Sequence, residues 1–572
     1  MNFIIRERDG PARLGTFILN GEKVITPNIL FVDTDRFNAP DFAEITITNN
    51  NRSFKKPVLK IPKDINFNQS FFEEENNYFS PLQYKDLFII KYASQLINQP
   101  KKFLEILIKK REKNFDKVFY IPTVGNPSNI ALLTYLGWDF FDSMSAIIAA
   151  RNKILFFSDG EKKLHDLKEV PCNCPVCNLS KKNNVNMRFE EIVLHNYYCL
   201  FNELKKVRNA IENNNLRTLV EKKILNDPNL VAILRTLDSD YYDFLEKSTP
   251  VSSSSIIYAT SKESMNRPEI KRFQERLINR YNKPKSCKVL LLLPCSAKKP
   301  YSFSKSHKFF RETINQVENS NITHEVIITS PLGIVPRELE LLYPAAYYDI
   351  PVTGVWDEDE KKMIRNLLKK YLEKNKYDEI ICHLPKELAN FIIDILKNPV
   401  ITIVDTATSK QSLNKLKEEL VIICKKHGKV NARDRLRDNL ECLASYQFGV
   451  NVGKKLLENT IIKDKYPWYK IIENGKQIGM MTEKRGFISL TSFGGKKIQS
   501  MNSYWVEIFD DFDLKGSVFA PGVKNADEQV RVGDEVVVLR NKKLAGVGVA
   551  MMNGYDMVQL KYGEAVKMRH RI

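Results

Sequence analysis

Five consecutive apolar residues, Val289-Leu290-Leu291-Leu292-Leu293, run into Pro294 and release Cys295, Lys298, Lys299, Tyr301, Ser304 and His307 within thirteen positions. An unbroken apolar run of this length, bounded by proline, reads as a strand buried inside a sheet. Pro294 and Pro300 turn the backbone after it away from helix. In open α/β sheets the loop at the carboxyl end of a strand is where ligands bind. A thiol, two ammonium groups, a phenol and an imidazole exceed what a turn requires. The plain alternative is a solvated loop whose cysteine packs beside a strand.

The flanking sequence gives this strand its company. Strands are expected at 288–293, 325–328, 379–382 and 400–404, separated by helices at 305–317, 358–373 and 387–396. Such alternation argues for a parallel sheet covered by helices. The first 250 residues also alternate, with a strand at 118–122 and helices at 129–136 and 143–151. Apolar spacing of three and four predicts a largely helical stretch over 82–111, with Pro81 placed to start it. Residues 251–255 are polar and of low complexity, a linker pattern. Residues 433–457 read as helical, 469–498 as Gly- and Lys-rich with alternating apolar residues. The tail from Ser500 reads as strands, with turns at Ala520-Pro521-Gly522, Val532-Gly533-Asp534 and Asn553-Gly554.

At 572 residues the chain exceeds a single core. Four domains are expected: 1–250, 251–425, 426–499 and 500–572. The fold class expected is multidomain α/β. A net charge of +19 points to a polyanionic partner, nucleic acid first, with a lysine-rich solubilising surface as the alternative. No apolar run approaches the ~20 residues that span a bilayer, and the start lacks a signal-peptide core. A cytoplasmic protein without membrane partners is therefore expected. Nine cysteines, an odd number, do not suggest a disulfide framework.

Cys172-x-Cys174-x2-Cys177 followed by His195 supplies three thiolates and an imidazole, the closed donor set of structural zinc. Pro171 and Pro175 hold the cysteines in a non-helical knuckle, and His195 falls in an expected helix over 190–212. With no open coordination position, such a metal holds the fold and does not activate water.

Three resemblances follow from residues in order along the chain. Gly137-Trp-Asp-Phe-Phe-Asp142-Ser143, Ala150-Arg-Asn, Val170-Pro-Cys-Asn-Cys-Pro-Val-Cys177 and Leu194-His-Asn196 resemble the zinc-bearing half of tRNA-guanine transglycosylases, the archaeal branch most of all. By that resemblance Asp142 stands where the family's nucleophile attacks the ribose. The family's TDSGGFQ and GGL-type base-reading elements are not found in this sequence, and 121–126 is only a weak echo of the base-binding loops. The resemblance thus implies a degenerate TIM-barrel-like domain, inactive in base exchange because a nucleophile needs its reactant held in line. It would be kept as a scaffold or tRNA-binding body.

Gly516-Ser-Val-Phe-Ala-Pro521-Gly522-Val523, Val532-Gly-Asp-Glu-Val536, Leu544-Ala-Gly-Val-Gly-Val549 and Gly563-Glu-Ala-Val-Lys-Met-Arg-His570 resemble a PUA domain, a small β-barrel that binds RNA. The resemblance makes Gly516, Pro521, Gly522, Lys561, Lys567 and Arg569 candidate RNA contacts, with Arg571 beside them. Finally, Pro294, Cys295, Lys299, Pro300, Tyr301, Ser304 and His307 fill every position of a P-C-x3-K-P-Y-x2-S-x2-H motif that resembles the signature of archaeosine synthases. The order of the four segments is also that family's.

That resemblance implies a tRNA substrate carrying 7-cyano-7-deazaguanine at position 15 of the D-loop, whose nitrile gains an amine and becomes an amidine. The donor is glutamine or ammonia in one scheme. In the other it is the lysine side chain, with a radical S-adenosylmethionine partner cleaving the adduct. No GK[ST] loop or dinucleotide fingerprint is evident, so neither ATP nor flavin is implied. Cys295, Lys299, Tyr301, Ser304 and His307 are the candidate catalytic set. Cys295 either attacks the nitrile or shapes its pocket, and Tyr301 and His307 are candidate proton donors. A second strand-end loop contributes Glu338, Glu340, Tyr347 and Asp349 as candidate substrate-binding residues, for an amine and a flipped base. Core packing of the tyrosines is the alternative. Two other functions stay open at this point: an active tRNA-guanine(15) transglycosylase, and a non-catalytic tRNA-binding subunit. Homo-oligomerisation is also open.

Overall fold

Short apolar runs such as Leu87-Phe-Ile-Ile and Val118-Phe-Tyr become neighbouring strands of one sheet in the first half of the chain. A computed structural model describes residues 3–19, 21–33, 38–48, 57–60, 79–81, 87–90, 92–179, 186–352 and 354–572. It divides the chain into two units, Met1–Thr249 and Pro250–Ile572.

In the first unit seven strands lie in the order Val58–Lys60, Ile45–Thr48, Asn28–Val32, Phe140–Asp142, Val118–Tyr120, Leu87–Ile90 and Phe79–Pro81. Every neighbouring pair is parallel except the last. The first parallel strand of the chain therefore sits beside the last, the circular order of a β/α barrel. Among the described residues the ring is open between Val58–Lys60 and Phe79–Pro81. This is the degenerate barrel expected from the sequence. The expected helix over 82–111 is corrected: Leu87–Ile90 is a strand, and the helices are Ala93–Leu96 and Pro100–Lys113. Pro81 belongs to a strand, Pro100 opens the long helix at its first position, and 82–86 lie outside the described residues. A short apolar run buried on both sides carries no period that separates strand from helix, which is why the spacing misled.

The second unit begins with a five-stranded sheet in the order Gly333–Pro336, Thr323–Thr329, Val289–Pro294, Glu379–Cys382, Val400–Ile401. Its pairs are parallel except for the edge strand Gly333–Pro336. Val289, Leu291 and Leu293 pack with Phe310, Ile314, Leu416 and Leu420 from helices Lys305–Asn315 and Lys410–Lys425. Leu290 and Leu292 are buried as well. The central strand is thus covered on both faces, as its composition requires. The expected helix over 387–396 is shorter, Lys386–Asn390, followed by a 3-10 turn at Ile393–Ile395. That over 433–457 divides into Ala432–Phe448 and Val450–Leu457 at Gly449, whose φ of 93° leaves the helical region.

After these helices comes an antiparallel sheet of Ile461–Lys463, Tyr469–Glu473, Lys476–Met481 and Ile488–Leu490, followed by helix Ser492–Gln499. The tail is a six-stranded sheet from Trp505–Ile508 to Glu564–Arg571. Asn553-Gly554 opens helix Gly554–Gln559, with Asn553 capping it through the Asp556 N–H at 2.8 Å, where a turn was expected. Val251, in the expected linker, donates its N–H to Val532 O at 2.9 Å. Among the described residues no helix is long and apolar enough to cross a membrane.

Because Leu291 lies at the centre of this sheet with 0% exposure, Leu291→Ala is expected to destabilise the second unit by about 2–5 kcal/mol. Urea unfolding followed by fluorescence measures this.

Candidate functional site

Two clusters of reactive side chains stand out, one in each unit. In the first, Cys172, Cys174, Cys177 and His195 bring one donor atom each to within 4.8 Å of one another. Cys174 Sγ lies 3.6 Å from Cys177 Sγ and 3.6 Å from His195 Nδ1, and Cys177 Sγ lies 3.4 Å from that nitrogen. Tetrahedral zinc with its usual bond lengths places sulfur about 3.8 Å from sulfur and about 3.6 Å from nitrogen, so the donor set fits a closed metal site. The other imidazole nitrogen, Nε2, sits 2.9 Å from the Phe156 carbonyl, which turns the lone pair of Nδ1 toward the thiols. Helix Phe189–Glu212 carries His195 and the short helix Pro175–Leu179 carries Cys177. A hydrogen bond with Cys172 and burial push Cys174 up to about 11, and burial first of all pushes Cys177 up to about 12. Those thiols hold their protons at neutral pH until a cation replaces them.

In the same unit Asp142 ends strand Phe140–Asp142 and is 2% exposed. Its Oδ2 accepts from Tyr120 OH at 2.7 Å and Thr123 N at 2.9 Å, and its Oδ1 from Met144 N at 2.9 Å. Both oxygens are engaged, and burial raises its pKa.

The second cluster lies at the carboxyl end of the central strand of the Pro250–Ile572 unit. Winding reverses between Val289–Pro294 and Glu379–Cys382, because the chain visits Thr323–Thr329 on one side and then returns to the other. A crevice forms at such a switch point. Here it is a cavity of about 190 Å³ whose walls include Pro294, Cys295, Ser330, Trp356 and Leu388, with Glu360 and Glu387. Cys295 is half-buried. Burial pushes its thiol up, against the opposing influence of the neighbouring Thr329 hydroxyl and the nearby Lys299 ammonium. Lys299 is pushed down by burial, and its ammonium lies 4.2 Å from the Tyr348 ring centre. Lys298 is exposed.

The other motif residues hold the loop. Ser304 caps helix Lys305–Asn315, its Oγ accepting from His307 N at 3.3 Å. His307 is fully buried. Arg337 donates to its Nδ1 at 2.8 Å, and since a guanidinium only donates, the ring proton resides on Nε2 and points to Pro294 O at 3.0 Å. Burial and the Arg337 charge push this imidazole down to about 2, so it stays neutral. Both nitrogens are occupied, which corrects the expectation of His307 as a free proton donor. Tyr301 is fully buried, its hydroxyl 2.6 Å from that of Tyr348.

The second loop behaves differently from its expected role. The antiparallel pairing of Thr329 with Gly333 and of Val326 with Pro336 carries the chain back along the sheet. Glu338 therefore meets His324, near the start of strand Thr323–Thr329, at 3.3 Å, together with Tyr281 OH. It lies at the end of the strand away from Cys295. Despite the opposing effect of its burial, His324 and Arg435 hold its carboxyl down at about 2. Glu340 is fully buried and accepts from Ser302 N at 2.9 Å, Arg337 at 2.8 Å and Tyr466 OH at 2.8 Å, bracing the motif loop. Tyr347 is half-buried and donates to Lys484 O at 3.1 Å, whereas its neighbour Tyr348 points inward. Asp349 is exposed and acts electrostatically on Lys299. Thr329, Arg337 and Tyr348, which the sequence reading did not single out, thus contact the motif directly. Their signal was present, since Thr329 ends the strand beside Cys295 and Arg337 and Tyr348 lie in the loop that follows.

In the tail, Lys561 and Lys567 are exposed. Gly522 is buried so close to Phe512 that a Cβ would stand 2.3 Å from its ring, while Gly516 has open space around it. Arg569 is exposed, and its guanidinium pairs with the fully buried Glu535 at 2.6 Å and 2.8 Å.

Comparison with known proteins follows the same division. A family model described as queuine tRNA-ribosyltransferase matches residues 93–229, one described as a domain of unknown function (DUF5591) matches 270–420, and a PUA domain model matches 512–572. The chain is 37% identical over 502 residues to archaeosine synthase subunit alpha of Methanosarcina acetivorans, covering 85% of this chain and 79% of that protein. It is 37% identical over 489 residues to archaeosine synthase subunit alpha of Thermococcus kodakarensis, covering 83% and 79%. To the tRNA-guanine(15) transglycosylase of Methanosphaera stadtmanae it is 30% identical over 483 residues, covering 79% and 67%. With the Cys295 motif complete, the transglycosylase-like half degenerate and this similarity running through both units, the chain belongs to the archaeosine synthase family.

Proposed function

We propose that this protein adds an amine to the nitrile of 7-cyano-7-deazaguanine at position 15 of tRNA, forming an amidine, with Cys295 at the reacting carbon. The observation that carries the reading is the position of Cys295: a thiol in the wall of a cavity at the sheet's switch point, beside Lys299 and Thr329. In the first step the sulfur bonds to the nitrile carbon and the thiol proton passes to the nitrile nitrogen, giving a thioimidate. The amine nitrogen then bonds to the same carbon, the carbon–sulfur bond breaks, and a proton from the amine restores the thiol. No phosphoryl donor is required. Asp349, Glu360 and Glu387 are the carboxylates near the cavity that would hold an amine donor, either lysine, with a radical S-adenosylmethionine partner acting on the adduct, or glutamine or ammonia. His307, Ser304 and Glu340 keep the loop in place, and Tyr301 acts through Tyr348.

The barrel half and the tail would bind the tRNA. Asp142, with both oxygens committed to hydrogen bonds, is read as a nucleophile position that no longer attacks ribose. Zinc would be held by Cys172, Cys174, Cys177 and His195, where it links the knuckle to helix Phe189–Glu212 and leaves no site for water.

Mass analysis of tRNA bearing the nitrile base, after incubation with lysine, glutamine or ammonium, tests the reaction. A gain matching one donor is expected. No gain with any donor would leave a tRNA-binding subunit, and insertion of the free base into unmodified tRNA would indicate a transglycosylase. Cys295→Ser is expected to abolish the gain and the trapped protein–tRNA adduct; substantial turnover in that variant would eliminate the thioimidate.

Metal removal gives a second test. Chelation should release one zinc per chain and unfold the knuckle, and reloading near neutral pH should release protons into a weakly buffered solution, because Cys174 and Cys177 are protonated without the cation. Reloading without proton release would contradict this. For the tail, Lys561→Gln and Lys567→Gln should each lower the salt slope of tRNA binding by about 1. Arg569→Gln should lower the melting temperature instead, since it leaves Glu535 with one cation fewer.

A further inference from the structure

Three hydroxyls from three different elements form a chain that ends beside Cys295. Thr329 ends strand Thr323–Thr329, and the pairing of Pro294 with Ile328 brings it beside Cys295, the residue that follows the neighbouring strand. Its Oγ1 also lies 2.5 Å from Tyr348 OH, and Tyr348 OH lies 2.6 Å from Tyr301 OH. Thr329 and Tyr301 are fully buried and Tyr348 is 3% exposed. Thr329 donates to Ser330 O at 3.1 Å. With its one proton committed there, it must accept from Tyr348, which in turn accepts from Tyr301. The two tyrosine O–H groups therefore point along the chain toward Thr329, whose own proton rests on the Ser330 carbonyl.

The structure assigns Thr329, Tyr348 and Tyr301 as positioning residues for Cys295: their aligned hydroxyls form a buried hydrogen-bond array that stabilises the sulfur as thiolate. The inference rests on the reading of Cys295 as the nucleophile and names the groups that ready it. When the thiol ionises, the Thr329 proton turns from the Ser330 carbonyl to the sulfur, and Tyr348 and Tyr301 strengthen that bond by polarising it. Burial pushes both tyrosines up, so they keep their protons and remain donors near neutral pH. The same array would stabilise the sulfur when the amine displaces it. Other charged groups around Cys295 are Lys299, with Asp349 beside it, and Glu360 and Glu387 in the cavity wall. Lys299 acts from the loop itself and over the Tyr348 ring, so the array and the ammonium work on the sulfur together.

The test is the pH dependence of Cys295 alkylation by iodoacetamide in the full chain, read on the Cys295-containing peptide by mass spectrometry. Thr329→Val should raise the midpoint by about one pH unit and slow alkylation at pH 8 about tenfold. Tyr348→Phe should slow it about threefold and Tyr301→Phe less, a gradient that follows distance along the chain; Thr329→Ser should restore it. Unchanged midpoints in Thr329→Val and Tyr348→Phe would overturn the assignment. A shift in Thr329→Val alone would overturn the array and leave a single hydroxyl. If Thr329→Val does not fold, Tyr348→Phe, which keeps ring and packing, decides by itself. Because the free protein is probed, shifted midpoints without amidine formation would count against the proposed reaction and not against the array.

Discussion

One imidazole holds the end of the central strand. His307 joins the Pro294 carbonyl to Arg337, and Arg337 also reaches Glu340 and Glu325, at 2.8 Å and 3.0 Å. Glu340 in turn fixes Ser302 and Tyr466. A buried charge is tolerable only when paired and hydrogen bonded, and here the pairing runs from strand end to loop to helix start. The geometry of Cys295, one residue beyond Pro294, depends on it. Burial, together with the cation that donates to it, holds the histidine neutral, and with both ring nitrogens engaged it fixes direction.

That anchoring leaves the chemistry to a different set of groups. The residues bracing the loop include the Arg337–Glu340 ion pair, whereas Cys295 is neighboured by hydroxyls, the half-buried Lys299 ammonium, and Glu360 and Glu387 of the cavity wall. The cavity itself follows from topology: the sheet winds both ways from one strand, and the loops at its carboxyl end must part.

The two units divide the labour by the same physical logic. In the barrel-like half Asp142 is enclosed, with three donors on its two oxygens, and the cysteine knuckle provides a closed set of ligands. In both, the polar atoms meet partners within the same unit. In the other unit Cys295 borders a cavity. Family membership, read from similarity spanning most of the chain, fits a molecule in which the transglycosylase framework persists beside a central sheet that carries the Cys295 motif.

Much of this was legible in the sequence, because it depends on local chemistry. The Cys172–Cys177 spacing, the all-apolar run ending at Pro294 and the composition of the loop after it each have few structural solutions. What tertiary structure decided was direction. The register of the Gly333–Pro336 hairpin sends Glu338 to the far end of the sheet, and no local pattern states a register. The alternation of side chains at Tyr347 and Tyr348 puts the second and not the first against Tyr301 and Thr329. Arg569 reaches the buried Glu535 across the intervening strand Lys543–Ala550, a meeting of segments distant in sequence. The sequence by itself determined which reactive groups the chain carries and which strand presents them; pairing across the sheet decided which of them meet, because contacts between residues far apart in the chain depend on register and packing rather than on spacing.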